Sequence, residues 1–168
     1  DLIPISVAYT TCNALIVPAS GPKTLAELIA QAKANPGKLS FGSPGVGTAG
    51  HLIGELFKTS TGTQLTHVPY RGQSQVINDL LGGHLSMSFE VAATAIPVVQ
   101  SGKMRALAVT CPKLRAQLPD APTFAEAGVA VVRFTEAAHA FVHDPSRESH
   151  RADDAAAAWA ACHAWLTA

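Results

Sequence analysis

From Ala14 to Thr110 short apolar runs alternate with stretches whose apolar residues recur at helical spacing, and this alternation limits the fold more than any single motif does. Ala14–Val17 reads as a buried strand, closed by Pro18-Ala-Ser-Gly-Pro22. Leu25, Leu28, Ile29 and Ala32 then mark a helix that stops at Asn35-Pro-Gly37. Further strands are expected over Lys38–Ser43, Leu65–Tyr70, His84–Phe89 and Arg105–Thr110, with Pro69 pushing its strand toward an end or an edge. Between them one helix presents Leu52, Ile53, Leu56 and Phe57, and another Val76, Ile77, Leu80 and Leu81. A third covers 92–100, where Pro97 must sit in the first turn or kink the helix. Strands and helices in regular succession imply right-handed crossovers, and so an α/β fold: a mainly parallel sheet with helices on both faces.

Outside this span the texture changes. Ile3, Ile5 and Val7 alternate with Pro4 and Ser6 as a first strand. Residues 111–123 are proline-rich and expected to be irregular, after which Thr123 and Glu126 have the spacing of a capping box for a short helix through Ala127. A strand over Val129–Phe134, a loop over 137–147 and an alanine-rich helix over 152–166, with Trp159, Cys162 and Leu166 on its apolar face, complete the reading.

In such a sheet ligands gather beyond the carboxyl ends of the strands, so the loops at 43–48, 70–74 and 89–94 share one rim. The first passes through Gly42, Gly45, Gly47 and Gly50 into a helix. Glycine keeps side chains clear of backbone N–H groups at a helix start, where the dipole favours an anion, most simply a carboxylate. The Thr48 hydroxyl would add a donor, and His51 either donates to the ligand or caps the helix. Arg71 brings positive charge from the second loop. Glu90, in the third, would repel a carboxylate, and either selects an amine or caps the helix after it. Residues 45–50 also match G-x-G-x-x-G, but the following strand, Leu65-Thr-His-Val, offers no acidic residue for a ribose. A dinucleotide is thereby excluded, and no cofactor is expected.

Lysine plus arginine and aspartate plus glutamate each total 12 in 168 residues, so no basic footprint for nucleic acid exists. The seven histidines include no H-E-x-x-H, and the one pair at i, i+4 spacing, His139 and His143, has no third ligand nearby, so no metal site is expected. Cys12, Cys111 and Cys162 are odd in number and far apart, and read as unpaired thiols. No apolar run reaches the ~20 residues of a membrane span, and Asp1–Thr10 carries no signal-like segment.

At residues 1–129 the sequence resembles the Bug family of solute-binding proteins, the periplasmic receptors of tripartite tricarboxylate transporters. The stretches that carry the resemblance are Lys23-Thr-Leu-Ala-Glu-Leu-Ile, Gly45-Val-Gly-Thr-Ala-Gly-His-Leu-Ile-Gly-Glu-Leu-Phe, His67-Val-Pro-Tyr-Arg-Gly, Asp79-Leu-Leu-Gly-Gly, Gly102-Lys-Met-Arg-Ala-Leu-Ala-Val-Thr and Leu118-Pro-Asp-Ala-Pro-Thr-Phe-Ala-Glu-Ala-Gly. The resemblance implies one lobe, with hinge strands, of a type II periplasmic-binding-protein-like fold. It further implies a small organic acid as ligand, no catalysis, a periplasmic location and transporter membrane subunits as partners. By the family's motif Ser43, Gly45, Gly47, Thr48 and His51 face the ligand, followed by Tyr70, Arg71 and Gly72. Gln73, Ser74, Gln75 and Ser86 depart from the family's usual residues, which bears on ligand identity. A first lobe has no counterpart before Asp1, so a functionally incomplete lobe that self-associates into a homo-oligomer is a competing expectation.

Residues 130–168 resemble instead the end of dienelactone hydrolases, with a C-terminal strand, loop and helix. His139 matches the base of that family. Neither G-x-S-x-G nor G-x-C-x-G occurs, so a hydrolase reading has no nucleophile to activate.

Overall fold

In the computed structural model, which describes residues 12–129, the alternating pattern becomes strands β1 (Asn13–Pro18), β2 (Ser40–Ser43), β3 (Thr66–Pro69), β4 (Met87–Val91) and β5 (Met104–Val109). Helices α1 (Leu25–Ala34), α2 (Ala49–Thr61), α3 (Gln73–Leu81) and α4 (Ala92–Gln100) follow the first four strands in turn. A short 3-10 helix, Pro112–Ala116, lies in the proline-rich stretch. The expectations for Ile3–Val7, for the strand, loop and helix after Val129, and for His139 and His143 lie outside the described residues.

The sheet order is β3-β2-β4-β1-β5. β2 runs parallel to both β3 and β4, whereas β1 lies antiparallel between β4 and β5. Four strands therefore share a direction and β1 alone opposes them. A mainly parallel sheet was expected; the reversal of β1 is new, because a buried apolar run reads the same in either direction. β3 occupies an edge, as Pro69 requires.

Alternation along the strands builds a core on each face. Leu15, Val17, Phe41, Met87 and Phe89 pack under α1 and α2, and Ala14, Ile16 and Val109 under α3 and α4. On α2 the buried positions are Gly50, Gly54 and Phe57, while Leu52 and Leu56 are 49% and 46% exposed, which corrects the expected apolar face. The reason is close approach: a Cβ on Gly54 would lie 2.2 Å from the Phe41 ring. Backbone contact rather than leucine volume seats this helix. β4 also differs from expectation, starting at Met87 and running through Glu90, while Leu85 packs into the core of the opposite face. Pro97 sits inside α4, beyond the first turn.

The thiol expectation is overturned as well. Cys12 and Cys111, separated by 99 residues, form a disulfide with Cα atoms 5.8 Å apart. Because β1 and β5 are antiparallel neighbours, the residue before β1 and the residue soon after β5 meet at the same end of the sheet. Sequence separation says nothing about that proximity.

Candidate functional site

The carboxyl ends of β2, β3 and β4 lie side by side, and α2, α3 and α4 all begin there. Specific contacts draw the three loops together. The Tyr70 N–H donates to the Ser43 carbonyl at 2.8 Å, a Cβ on Gly50 would lie 3.0 Å from the Phe89 carbonyl oxygen, and the Gln73 side chain reaches Glu90. The rim expected from the loop positions is the rim observed.

Each of these helices starts without a side-chain N-cap. The N-cap positions are Thr48, Gly72 and Val91, and none has a side chain that accepts a hydrogen bond from its own helix. Thr48 has a hydroxyl but turns it backward, donating to the Gly45 carbonyl at 2.7 Å. The first N–H groups of a helix have no intrahelical acceptor, so an uncapped start leaves donors for something else. On α4 the first of them is taken by the backbone, since Ala92 N–H donates to the Cys12 carbonyl at 2.8 Å. The donors of α2 and α3 are the better placed.

Within the glycine-rich loop the polar groups mostly serve the loop itself. Ser43 is fully buried; its Oγ accepts from the Gly45 N–H at 3.2 Å and lies 3.0 Å from the Gly45 carbonyl and 2.7 Å from His67 Nε2. Gly47 N–H donates to His51 Nδ1 at 3.1 Å, which leaves the proton of a neutral His51 on Nε2. Gly45 and Gly47 have φ of 139° and 81°, values that side-chain-bearing residues rarely adopt. The N–H groups of Gly45 and Gly47 are thus occupied within the loop, and the donors expected at the helix start are those of the first turn of α2.

The remaining expected residues divide. Arg71 is exposed on the rim, its backbone N–H donating to Gln75 Oε1 at 3.1 Å, and Gly72 opens α3 in an extended conformation. Tyr70 is at the rim by its backbone, but its hydroxyl donates to Asp79 Oδ2 at 2.6 Å, tying the loop to α3. Burial, and then Asp79, push its pKa up to about 12. Glu90 is not an exposed loop residue: it is fully buried in β4, bonded to Ser88 and Gln73.

His67 is the residue that the expected site omitted. Its ring stacks between Phe41, at 4.8 Å, and His51, at 4.2 Å, while its Nε2 holds Ser43. Burial, and then His51, lower its pKa, with Glu55 acting the other way. A Ser–His pair invites comparison with a nucleophile, yet Ser43 is inaccessible and among the described residues no carboxylate is hydrogen-bonded to His67. Such a pair lacks both access and an orienting acid. Asn13, at the start of β1 on the same rim, is 8% exposed, and its Oδ1 has no hydrogen-bond partner. No sequence signal marked it.

The architecture is that of one lobe of a periplasmic binding protein. Residues 1–145 match the family model of the tripartite tricarboxylate transporter family receptor, TctC, and the chain belongs to that family. The match runs beyond Val131. Curated relatives include the UPF0065 protein in the gbd 5' region of Cupriavidus necator, 45% identical over 120 residues, covering 71% of this chain and 36% of that protein. Protein BugT of Bordetella pertussis is 35% identical over 132 residues, covering 76% of this chain and 40% of its own length. Among solved structures, R. palustris Rpa4515 with adipate has 39% identity and a TM-score of 0.67, and the periplasmic binding protein BugD 33% and 0.66. These matches cover 71% and 70% of this chain and 40% of each solved chain. The chain therefore spans less than half the length of these four relatives.

Proposed function

We propose that this chain forms part of an extracytoplasmic receptor that binds a small organic carboxylate without transforming it. The observation that carries the reading is the convergence of helix starts without side-chain caps at the carboxyl ends of β2, β3 and β4. Several partial positive charges aimed at one rim suit an anion of more than one oxygen. Charge-assisted hydrogen bonds of this kind are worth roughly 1.5–3 kcal/mol each. The first-turn N–H groups of α2 and α3 receive the carboxylate, Arg71 supplies the counter-charge, and the Nε2 proton of His51 is a further donor. Gly45, Gly47 and Gly72 keep the approach clear, while Ser43, Thr48 and Tyr70 hold the loops in shape. The adipate carried by the R. palustris relative is a ligand of this class.

The disulfide supports an oxidising compartment such as the periplasm. Transporter membrane subunits are the proposed partners of the liganded receptor. Self-association through a second copy is the alternative, and ultracentrifugation over a concentration series distinguishes them, since a monomer at every concentration removes it. Isothermal titration of adipate, succinate, citrate and acetate into the purified chain tests the function. Heat is expected from at least one multi-oxygen acid and should be lost in Arg71→Ala. Uniform absence of heat would sink the reading.

A further inference from the structure

Glu90 is a carboxyl group that the proposed site does not use, and it lies directly beneath that site. It is fully buried on the face of β4 that packs against α3 and α4, as is Ser88 two residues earlier. The hydrogen bonds around it can be counted. Ser88 Oγ lies 3.1 Å from the Gly42 carbonyl and also contacts Glu90 Oε1, while the Gln73 side-chain amide donates to Glu90 Oε2. A serine hydroxyl has one hydrogen and cannot serve two acceptors. If Glu90 is ionised, either Gly42 or Glu90 loses its Ser88 bond. If Glu90 carries a proton, it donates to Ser88, Ser88 donates to Gly42, and every partner is satisfied.

We propose that Glu90 is a neutral carboxylic acid acting as a positioning residue: it latches Gln73, the first residue of α3, to the end of β4, and when it loses its proton the buried, unpaired charge favours opening of that packed corner. Burial supports this independently, pushing the Glu90 pKa up to about 7 against the opposing Ser88 hydrogen bond. β4 packs against β1, β2, α2, α3 and α4. The titratable or charged side chains on those elements and the adjoining β3 loop are His51, Glu55 and Lys58, Asp79, and His67, Tyr70 and Arg71. Among the described residues none is hydrogen-bonded or ion-paired with Glu90. A carboxylate formed there has no counter-ion and stands behind the helix starts proposed to hold the ligand's carboxylate. Resting on that reading of the site, ligand affinity should fall as pH rises.

Carbon-13 NMR of the carboxyl groups, with Glu90 assigned by its loss in Glu90→Gln, reads the proton directly. A midpoint near 7 is expected, and one at the ordinary glutamate value of 4.5 would overturn the proposal. Amide exchange at Ser74 and Gln75, corrected for its intrinsic pH dependence, should rise as pH climbs from the ordinary glutamate value of 4.5 to about 7 in the wild type and level off above that. It should stay level in Glu90→Gln, whose amide reproduces the donor and acceptor of the acid, and be raised throughout in Glu90→Ala. Adipate affinity should fall on the order of tenfold as pH rises through about 7 and beyond in the wild type and not in Glu90→Gln. The same pH dependence in both chains refutes the latch. If neither chain binds adipate or succinate at any pH, the receptor reading fails by itself, and the carboxyl midpoint with the exchange rates still decides the latch.

Discussion

Helix α1 and helix α3 both begin with a side chain reaching back from the third helical residue, and differ in whether the N-cap itself has a side chain. On α1, Thr24 accepts from the Glu27 N–H at 3.1 Å, and Glu27 reaches back to the Lys23 N–H at 2.7 Å, a complete capping box. On α3, Gln75 reaches back to the Arg71 N–H at 3.1 Å, but the N-cap is Gly72 and has no side chain to offer. α1 follows the reversed strand β1 and so starts at the opposite end of the sheet, whereas α3 starts on the rim with α2 and α4. Away from the rim a side chain caps the start of α1, and on the rim no N-cap side chain does so for α2, α3 or α4. That pattern is what a binding edge needs and what stability alone does not favour.

If the rim gives up caps, other devices must hold it together, and the first is covalent. Cys12→Ser removes a link that closes about 100 residues of chain, for which a loss of about 2–4 kcal/mol is typical. Urea denaturation with and without reductant measures it. A midpoint indifferent to reductant would show that the disulfide contributes nothing to the rim. The second device is close packing. Gly54→Ala places a Cβ 2.2 Å from the Phe41 ring, which itself stacks on His67 under the glycine-rich loop. Overpacking of this kind costs roughly 1–3 kcal/mol. The same substitution should disturb the His51–His67 stack, seen as shifted histidine ring resonances. An unshifted spectrum with full stability would mean that α2 slides without consequence.

How far these features could be read in advance follows from what each depends on. The helices and strands between Ala14 and Thr110 were legible because their periodicity is local. The rim followed from topology, and the capping box of Thr123 and Glu126 is present, with hydrogen bonds of 2.7 and 3.2 Å, although it caps a turn rather than a helix. What escaped depends on pairing across the sheet. The direction of β1, the disulfide between Cys12 and Cys111, and the burial of Glu90 all arise because β1 inserts between β4 and β5. The packed face of α2 escaped for a different reason, since hydrophobicity points to Leu52 and Leu56 while backbone approach selects Gly50 and Gly54. His67 was legible only as part of a motif, its role being fixed by the neighbours Phe41, Ser43 and His51.

The comparison of helix starts can be tested by exchanging their character. Thr24→Ala removes the α1 cap and should cost about 1 kcal/mol, read from the thermal or urea midpoint. It should leave carboxylate affinity unchanged, because α1 starts at the far end of the sheet. Gly72→Asp should do the reverse. Gly72 has φ of −176° and ψ of 162°, an extended conformation open to any residue, and an added Cβ meets nothing within 4 Å. The new carboxylate would complete the box that Gln75 half makes and should stabilise the chain by about 0.3–1 kcal/mol through the helix dipole. It would also occupy the donors proposed for the ligand, so adipate binding should weaken even as the melting temperature rises. A variant that gains stability and keeps full affinity would show that the start of α3 is a turn closed by glycine, and that the ligand is held elsewhere on the rim.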